Sequence, residues 1–213
     1  MKNLDLSVYF VTDPELCKKR GVVETARAAV QGGATVVQLR DKTASDADLI
    51  ALGKALVTAL HDTPAQLIVN DRLAVAQSIG AGVHLGQSDL DPSVARQQLG
   101  AAAWIGVSVS TACHAAAVDL ASVDYVGIGP VFATPTKPDH AQPLGIEGLA
   151  ALCATTPLPA VAIGGLQAAH AAAVLAAGAC GLAVVSAICG ADHPSVAAHK
   201  LRTAVDTARS GRK

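Results

Sequence analysis

Residues 38–42 read "QLRDK", and 69–72 and 82–89 read "VNDR" and "GVHLGQSD". On an extended chain Gln38 and Arg40 share one face, and Lys42 continues it. Two cations beside an amide donor suit a polyanion such as a diphosphate, because guanidinium forms a bidentate fork with phosphate oxygens. A core ion pair with Asp71 or Asp89 competes with this reading and is compatible with it. Asp71 and Asp89 end neighbouring apolar runs, with no thiol alongside. Paired carboxylates of this kind suit a hard cation, above all Mg²⁺ bridging substrate phosphates, although single Asp residues more often cap helices. Asn70 can reach a substrate amide or amine.

A second set faces phosphate in a different way. "IGG" at 163–165 and "VVSA" at 184–187 can cradle phosphate with backbone N–H groups, with Gly165 allowing close approach and Ser186 adding a hydroxyl. Ordinary tight-turn glycine is the competing reading for either stretch alone. "ATPTK" at 133–137 places Thr134, Pro135, Thr136 and Lys137 after a further apolar run, as either a stiff surface turn or an anion-holding segment. His84 lies inside an apolar run and reads as a hydrogen-bonded core histidine rather than a catalytic base. No Ser-His-Asp arrangement can be argued.

Eight β-branched runs alternate with eight helical stretches, and each polar motif falls at the C-terminal edge of a run. The expected strands are Leu6–Thr12, Thr35–Leu39, Gln66–Val69, Gly82–Leu85, Trp104–Val109, Tyr125–Val131, Ala160–Ile163 and Gly181–Val185. The expected helices are Val22–Gln31, Asp46–Leu60, Leu73–Ile79, Pro92–Leu99, Cys113–Ala121, Ile146–Cys153, Gln167–Ala177 and Pro194–Arg209. Ser45 can cap the second helix and Pro92 can open the fourth. With no break in composition, this alternation specifies an α/β fold, a single (β/α)8 TIM barrel of parallel strands over residues 1–213. An open doubly wound sheet is disfavoured because no G-x-G-x-x-G follows the first strand.

Composition excludes several classes. The net charge is −1, the 16 Lys and Arg are dispersed, and aromatics make up 2%. That leaves neither the basic stripe nor the stacking platform that nucleic acids need. The 5 cysteines show no C-x-x-C spacing, which points to buried or inert thiols in a reducing cytoplasm rather than to disulfides or zinc. No signal peptide is legible at "MKNLDLSVYF". Gly148–Ala191 lacks Asp, Glu, Lys and Arg, but prolines and glycines punctuate it into buried strand and helix pieces rather than a membrane span.

Taken in order, "YFVTD", "QLRDK", "VNDR", "GVHLGQSD", "GVSVST", "GPVFATPTK", "AIGGL" and "VVSAI" resemble the thiamine phosphate synthase family from about Tyr9 to Ile188. The resemblance implies a TIM-barrel transferase that joins hydroxymethylpyrimidine diphosphate to hydroxyethylthiazole phosphate, or its carboxylated form. The products would be thiamine monophosphate and diphosphate, by a dissociative, Mg²⁺-assisted route. It assigns Gln38, Leu39, Arg40, Asp41, Lys42, Asn70 and Ser108 to the pyrimidine diphosphate, and Asp71 and Asp89 to the metal. Thr134, Pro135, Thr136, Gly165, Val185 and Ser186 fall to the thiazole phosphate. Lys137 would sit by the departing diphosphate, with Arg40, Lys42, Lys137 and Ser108 carrying catalysis. A homo-oligomer is compatible with this picture, and small molecules are the only partners implied.

The chain departs from the family where Glu is usual at Asp41 and Ser88, lysine at Pro138 and histidine at Ser110. Three rivals share the barrel. A thiazole tautomerase would need no diphosphate grip. A sugar-phosphate epimerase would need an acid or base from Asp13 or His84. A non-catalytic phosphate sensor would tolerate loss of a metal carboxylate.

Overall fold

In the computed structural model of the chain, which describes residues 4–134 and 142–211, eight parallel strands close into a barrel in sequence order. The strands are β1 (Val8–Val11), β2 (Val36–Leu39), β3 (Gln66–Asn70), β4 (Gly82–Leu85), β5 (Ile105–Val109), β6 (Tyr125–Ile128), β7 (Ala160–Ile163) and β8 (Gly181–Val184). Between and after them lie α1 (Val22–Gln31), α2 (Asp46–Leu60), α3 (Leu73–Ile79), α4 (Pro92–Leu99), α5 (Ala112–Ala116), α6 (Gly145–Thr155), α7 (Ala171–Ala176), α8 (Ser186–Cys189) and α9 (Pro194–Ser210). The first four helices keep their expected bounds. Ser45 caps α2 by accepting the Asp48 N–H, and Asp91 caps α4 ahead of Pro92.

The departures have local causes. β6 stops at Ile128 rather than Val131, because Pro130 brings no N–H to the ladder. α5 ends five residues early: the Asp119 carboxylate takes the Ala121 N–H and the Ser122 hydroxyl, offering the backbone an alternative to helix. The expected seventh helix begins as a 3-10 turn, Ala168–His170, where the His170 ring accepts the Gln167 N–H. One helix was not anticipated, the short α8.

Alternation along the strands separates two cores. Outward side chains such as Val8, Phe10, Val37, Leu39, Val83 and Ile105 pack beneath the helices. Inward ones, among them Tyr9, Val11, Val36, Ile68, Tyr125, Val161 and Ala183, fill the barrel. Register carries this around the sheet, pairing Tyr9 with Val36 and Gly106 with Tyr125. Gly106 is needed at its place: a Cβ there would fall 2.1 Å from the Tyr125 ring.

At the barrel end away from the polar motifs, Arg96 ties α4 to the approach to β6. It donates to Asp124 at 2.7 Å and to the carbonyls of Gly100, Ala103 and Ser122. Arg96→Ala leaves the largely buried Asp124 carboxylate without its countercharge and with only the Ile105 N–H as partner, so unfolding free energy is expected to fall by about 2 kcal/mol. Turnover per folded molecule should stay within about twofold, because Arg96 is far from the site described next. Denaturant unfolding and initial rates check both outcomes.

Candidate active site

A cavity of about 550 Å³ opens where the C-terminal ends of all eight strands converge, the face on which barrels of this type build active sites. Gln38, Arg40, Lys42, Asn70, Asp71, Asp89, Ser108, Thr134, Gly165, Val185 and Ser186 all line it. Leu39 and Asp41 do not. Leu39 is 1% exposed and packs in the outer core. Asp41 turns away to accept the Thr43 and Ala44 N–H groups and the Thr43 hydroxyl. Alternation from Gln38 through Lys42 explains the division. Pro135, Thr136 and Lys137 lie outside the described residues.

On the β2–β4 side the site is charged. Lys42 Nζ lies 3.5 Å from Asp71 Oδ2, so the ion-pair reading of the sequence holds in part, at the mouth rather than in the core. Among the described residues Arg40 has no carboxylate partner. Its backbone is pinned instead, through mutual hydrogen bonds with the Thr12 hydroxyl. Asp71 adopts a left-handed backbone, φ 61, and its N–H donates to the His84 carbonyl. Asp89 folds back so that Oδ2 accepts the Gly86 N–H at 2.6 Å. Burial and the facing Asp89 carboxylate hold Asp71 above the usual carboxylate range, against the pull of Lys42.

A partly buried carboxylate facing a second one is what a divalent cation relieves, and the all-oxygen donor set suits Mg²⁺. Among the described residues no cluster of three or more acidic, His or Cys side chains could enclose a metal. A cation here would therefore take its remaining oxygens from substrate and water.

The cavity floor is a buried chain of hydrogen bonds from five strands. Gln38 Nε2 donates to the Tyr9 hydroxyl at 2.8 Å, and the Tyr9 and Tyr125 hydroxyls are 2.8 Å apart. Tyr125 Oη lies 3.1 Å from His84 Nδ1, and His84 Nε2 lies 3.0 Å from Ser108 Oγ. Burial lowers the His84 pKa from 6.5 to about 4 and raises that of both tyrosines, so the imidazole is neutral at ordinary pH. Both its ring nitrogens are engaged, as the core reading expected. Asp13 does not line the cavity and accepts the Leu16 N–H. Neither is placed as the acid or base an epimerase needs.

On the β6–β8 side the wall is mostly backbone. Gly164 and Gly165 have φ 107 and 62. The Val131 N–H donates to the Ile163 carbonyl and the Phe132 N–H to that of Gly164, so the loops after β6 and β7 continue side by side. Ser186 opens α8 beside them. Sequence reasoning gave no role to Tyr9, Gln87 or His114, all of which line the cavity. His114 Nδ1 meets the Ser110 hydroxyl at 3.0 Å, so a histidine stands at this rim although residue 110 is serine. Of the five cysteines only Cys17 and Cys189 are buried. Cys113 is exposed, which corrects the expectation of general burial.

The family model described as thiamine monophosphate synthase matches residues 8–188. A thiamine-phosphate synthase of Azorhizobium caulinodans is 50% identical over 206 residues, covering 96% of this chain and 97% of that one. One from a Psychrobacter species is 48% identical over 202 residues, covering 92% and 93%. The solved thiamine phosphate pyrophosphorylase of Pyrococcus furiosus superposes with a TM-score of 0.87 at 35% identity, covering 96% of this chain and 98% of that one.

Proposed function

The chain belongs to the thiamine monophosphate synthase family, and from that premise we propose that it acts as one barrel domain joining a pyrimidine diphosphate to a thiazole phosphate. The observation that carries this reading is the two-sided cavity: cations and carboxylates from β2–β4 face glycine and hydroxyl groups from β6–β8 across one mouth. One side suits a metal-bound diphosphate and the other a monoester. A tautomerase would have no use for the first.

Gln38, Asn70 and Ser108 orient the pyrimidine, with Gln38 and Ser108 held by the buried hydrogen-bond chain. Asp71 and Asp89 are the residues that would hold Mg²⁺, which when bound offsets charge growing on the leaving diphosphate. Arg40 and Lys42 add fixed positive charge there, and Lys137 is assigned the same role. Breaking the carbon–oxygen bond leaves an electron-rich pyrimidinylmethyl cation, which the thiazole nitrogen attacks. Thr134, Gly165, Val185 and Ser186 position that nucleophile by its phosphate, with Pro135 and Thr136 assigned to the same end. Positioning replaces a strong base, in keeping with a neutral, doubly hydrogen-bonded His84. Among the described residues no helix is long and apolar enough to cross a membrane.

Two variants test the division. Arg40→Ala is expected to lower kcat/KM for the pyrimidine diphosphate roughly 10²–10³-fold, with the thiazole phosphate KM changed by less than about threefold. Ser186→Ala should raise the thiazole phosphate KM about tenfold, the value of one hydrogen bond to a charged group, and leave the other KM unchanged. The opposite pattern, Arg40 acting on the thiazole phosphate alone, would overturn the assignment of the two sides.

A further inference from the structure

Cys17 is the only buried residue of the exposed turn 15–21, and its sulfur lies 3.0 Å from that of Cys189, 172 positions along the chain. A disulfide is about 2.0 Å long, so closing this gap requires a movement of about 1 Å. The two residues bracket the seam where the barrel closes. Cys17 follows β1, Cys189 ends α8 just after β8, and β1 pairs directly with β8. Neither sulfur lines the substrate cavity.

We propose that Cys17 and Cys189 form a reversible disulfide on exposure to a peroxide, stapling the first strand's turn to the helix after the last strand. The Cys17 thiolate attacks one peroxide oxygen, forming an S–O bond as O–O breaks and one water leaves. Cys189 sulfur then attacks the sulfenic sulfur, forming S–S and releasing the second water. Two electrons leave the sulfurs, and the two thiol protons end on the waters. The contact with Cys189 lowers the Cys17 thiol pKa while Cys189 is held up, so one partner of the pair is the nucleophile. Access comes from opening the turn. Across to the loop before α9 the turn is held by an exposed Lys19–Asp192 pair at 3.7 Å and one bond from Arg20 to the Asp192 carbonyl, and contacts of this kind open at low cost.

The test uses the full-length protein, fully reduced and then treated with hydrogen peroxide. Free thiols are alkylated after denaturation and peptides mapped by mass. The proposal expects a Cys17–Cys189 cross-linked peptide two hydrogens lighter than its parts, removed by dithiothreitol, with Cys113 still alkylatable or singly oxidised. It also expects a thermal midpoint higher than that of the reduced protein by several degrees, up to about 10 °C. Cys17→Ser and Cys189→Ser should each lose the cross-link and the shift. Cys17 and Cys189 both alkylated after oxidation, or a Cys153–Cys180 bond as the only cross-link, would overturn the proposal. So would a cross-link that leaves the midpoint unchanged. Because the readouts are mass and melting, failure here leaves the catalytic reading intact.

Discussion

Asp71→Asn is expected to lower turnover roughly a hundredfold or more while leaving the fold at least as stable as before. Asparagine tolerates the left-handed backbone that Asp71 adopts at φ 61 and keeps the N–H that donates to the His84 carbonyl. The change therefore removes the charge and its ion pair with Lys42 and leaves the backbone as it was. Stability should move in the other direction. Burial and Asp89 raise the folded-state pKa of Asp71 above 3.8, so stability from this group is present below that value. It is lost as pH rises through the raised folded value, above which the ionised carboxylate opposes folding. The variant should thus melt no lower than wild type without magnesium. Adding Mg²⁺ should raise the wild-type midpoint and leave the variant's nearly unchanged, by linkage. Turnover within about threefold of wild type, with an equal magnesium response, would remove Asp71 from the metal assignment.

His84→Leu carries the second large effect. It takes one partner from the Tyr125 hydroxyl and one from Ser108, both beneath the cavity, for a loss of about 2–4 kcal/mol at pH 7.5. The pH dependence identifies the cause. His84 falls from 6.5 to about 4 in the folded state. Its contribution is therefore fully present above 6.5 and is lost as pH drops towards 4, because the unfolded chain binds the proton first. Over that window the wild type loses on the order of 3 kcal/mol that the leucine variant cannot lose. The gap between the two proteins should narrow steadily on acidification in equilibrium denaturation. A gap that stays constant between pH 7.5 and 4 would mean that His84 is protonated inside the barrel. Ser108, freed of its partner, should also loosen the grip on the pyrimidine diphosphate and raise its KM.

The diphosphate side of the site was legible because its signal is local. Gln38, Arg40 and Lys42 stand two residues apart on a strand edge, and period-two geometry puts them in one cavity. The same rule places Leu39 and Asp41 on the other face. They entered the expected set only because the family resemblance marks the whole run. The first four helices were readable from caps and apolar spacing, whereas α5 ended early through an Asp119 turn that competes locally with helix. The buried chain through Tyr9 and Tyr125 was not legible. It joins residues 116 apart and depends on space left by Gly106, where a Cβ would sit 2.1 Å from the Tyr125 ring. The Cys17–Cys189 contact is longer in range still, and only barrel closure brings it about.

The most direct test mixes purified protein with the pyrimidine diphosphate, the thiazole phosphate and Mg²⁺, and separates the products by chromatography. Thiamine monophosphate and diphosphate should appear in equal amounts, and chelating the metal should stop both. No thiamine monophosphate, with or without Mg²⁺, would contradict the assignment of this barrel to that reaction.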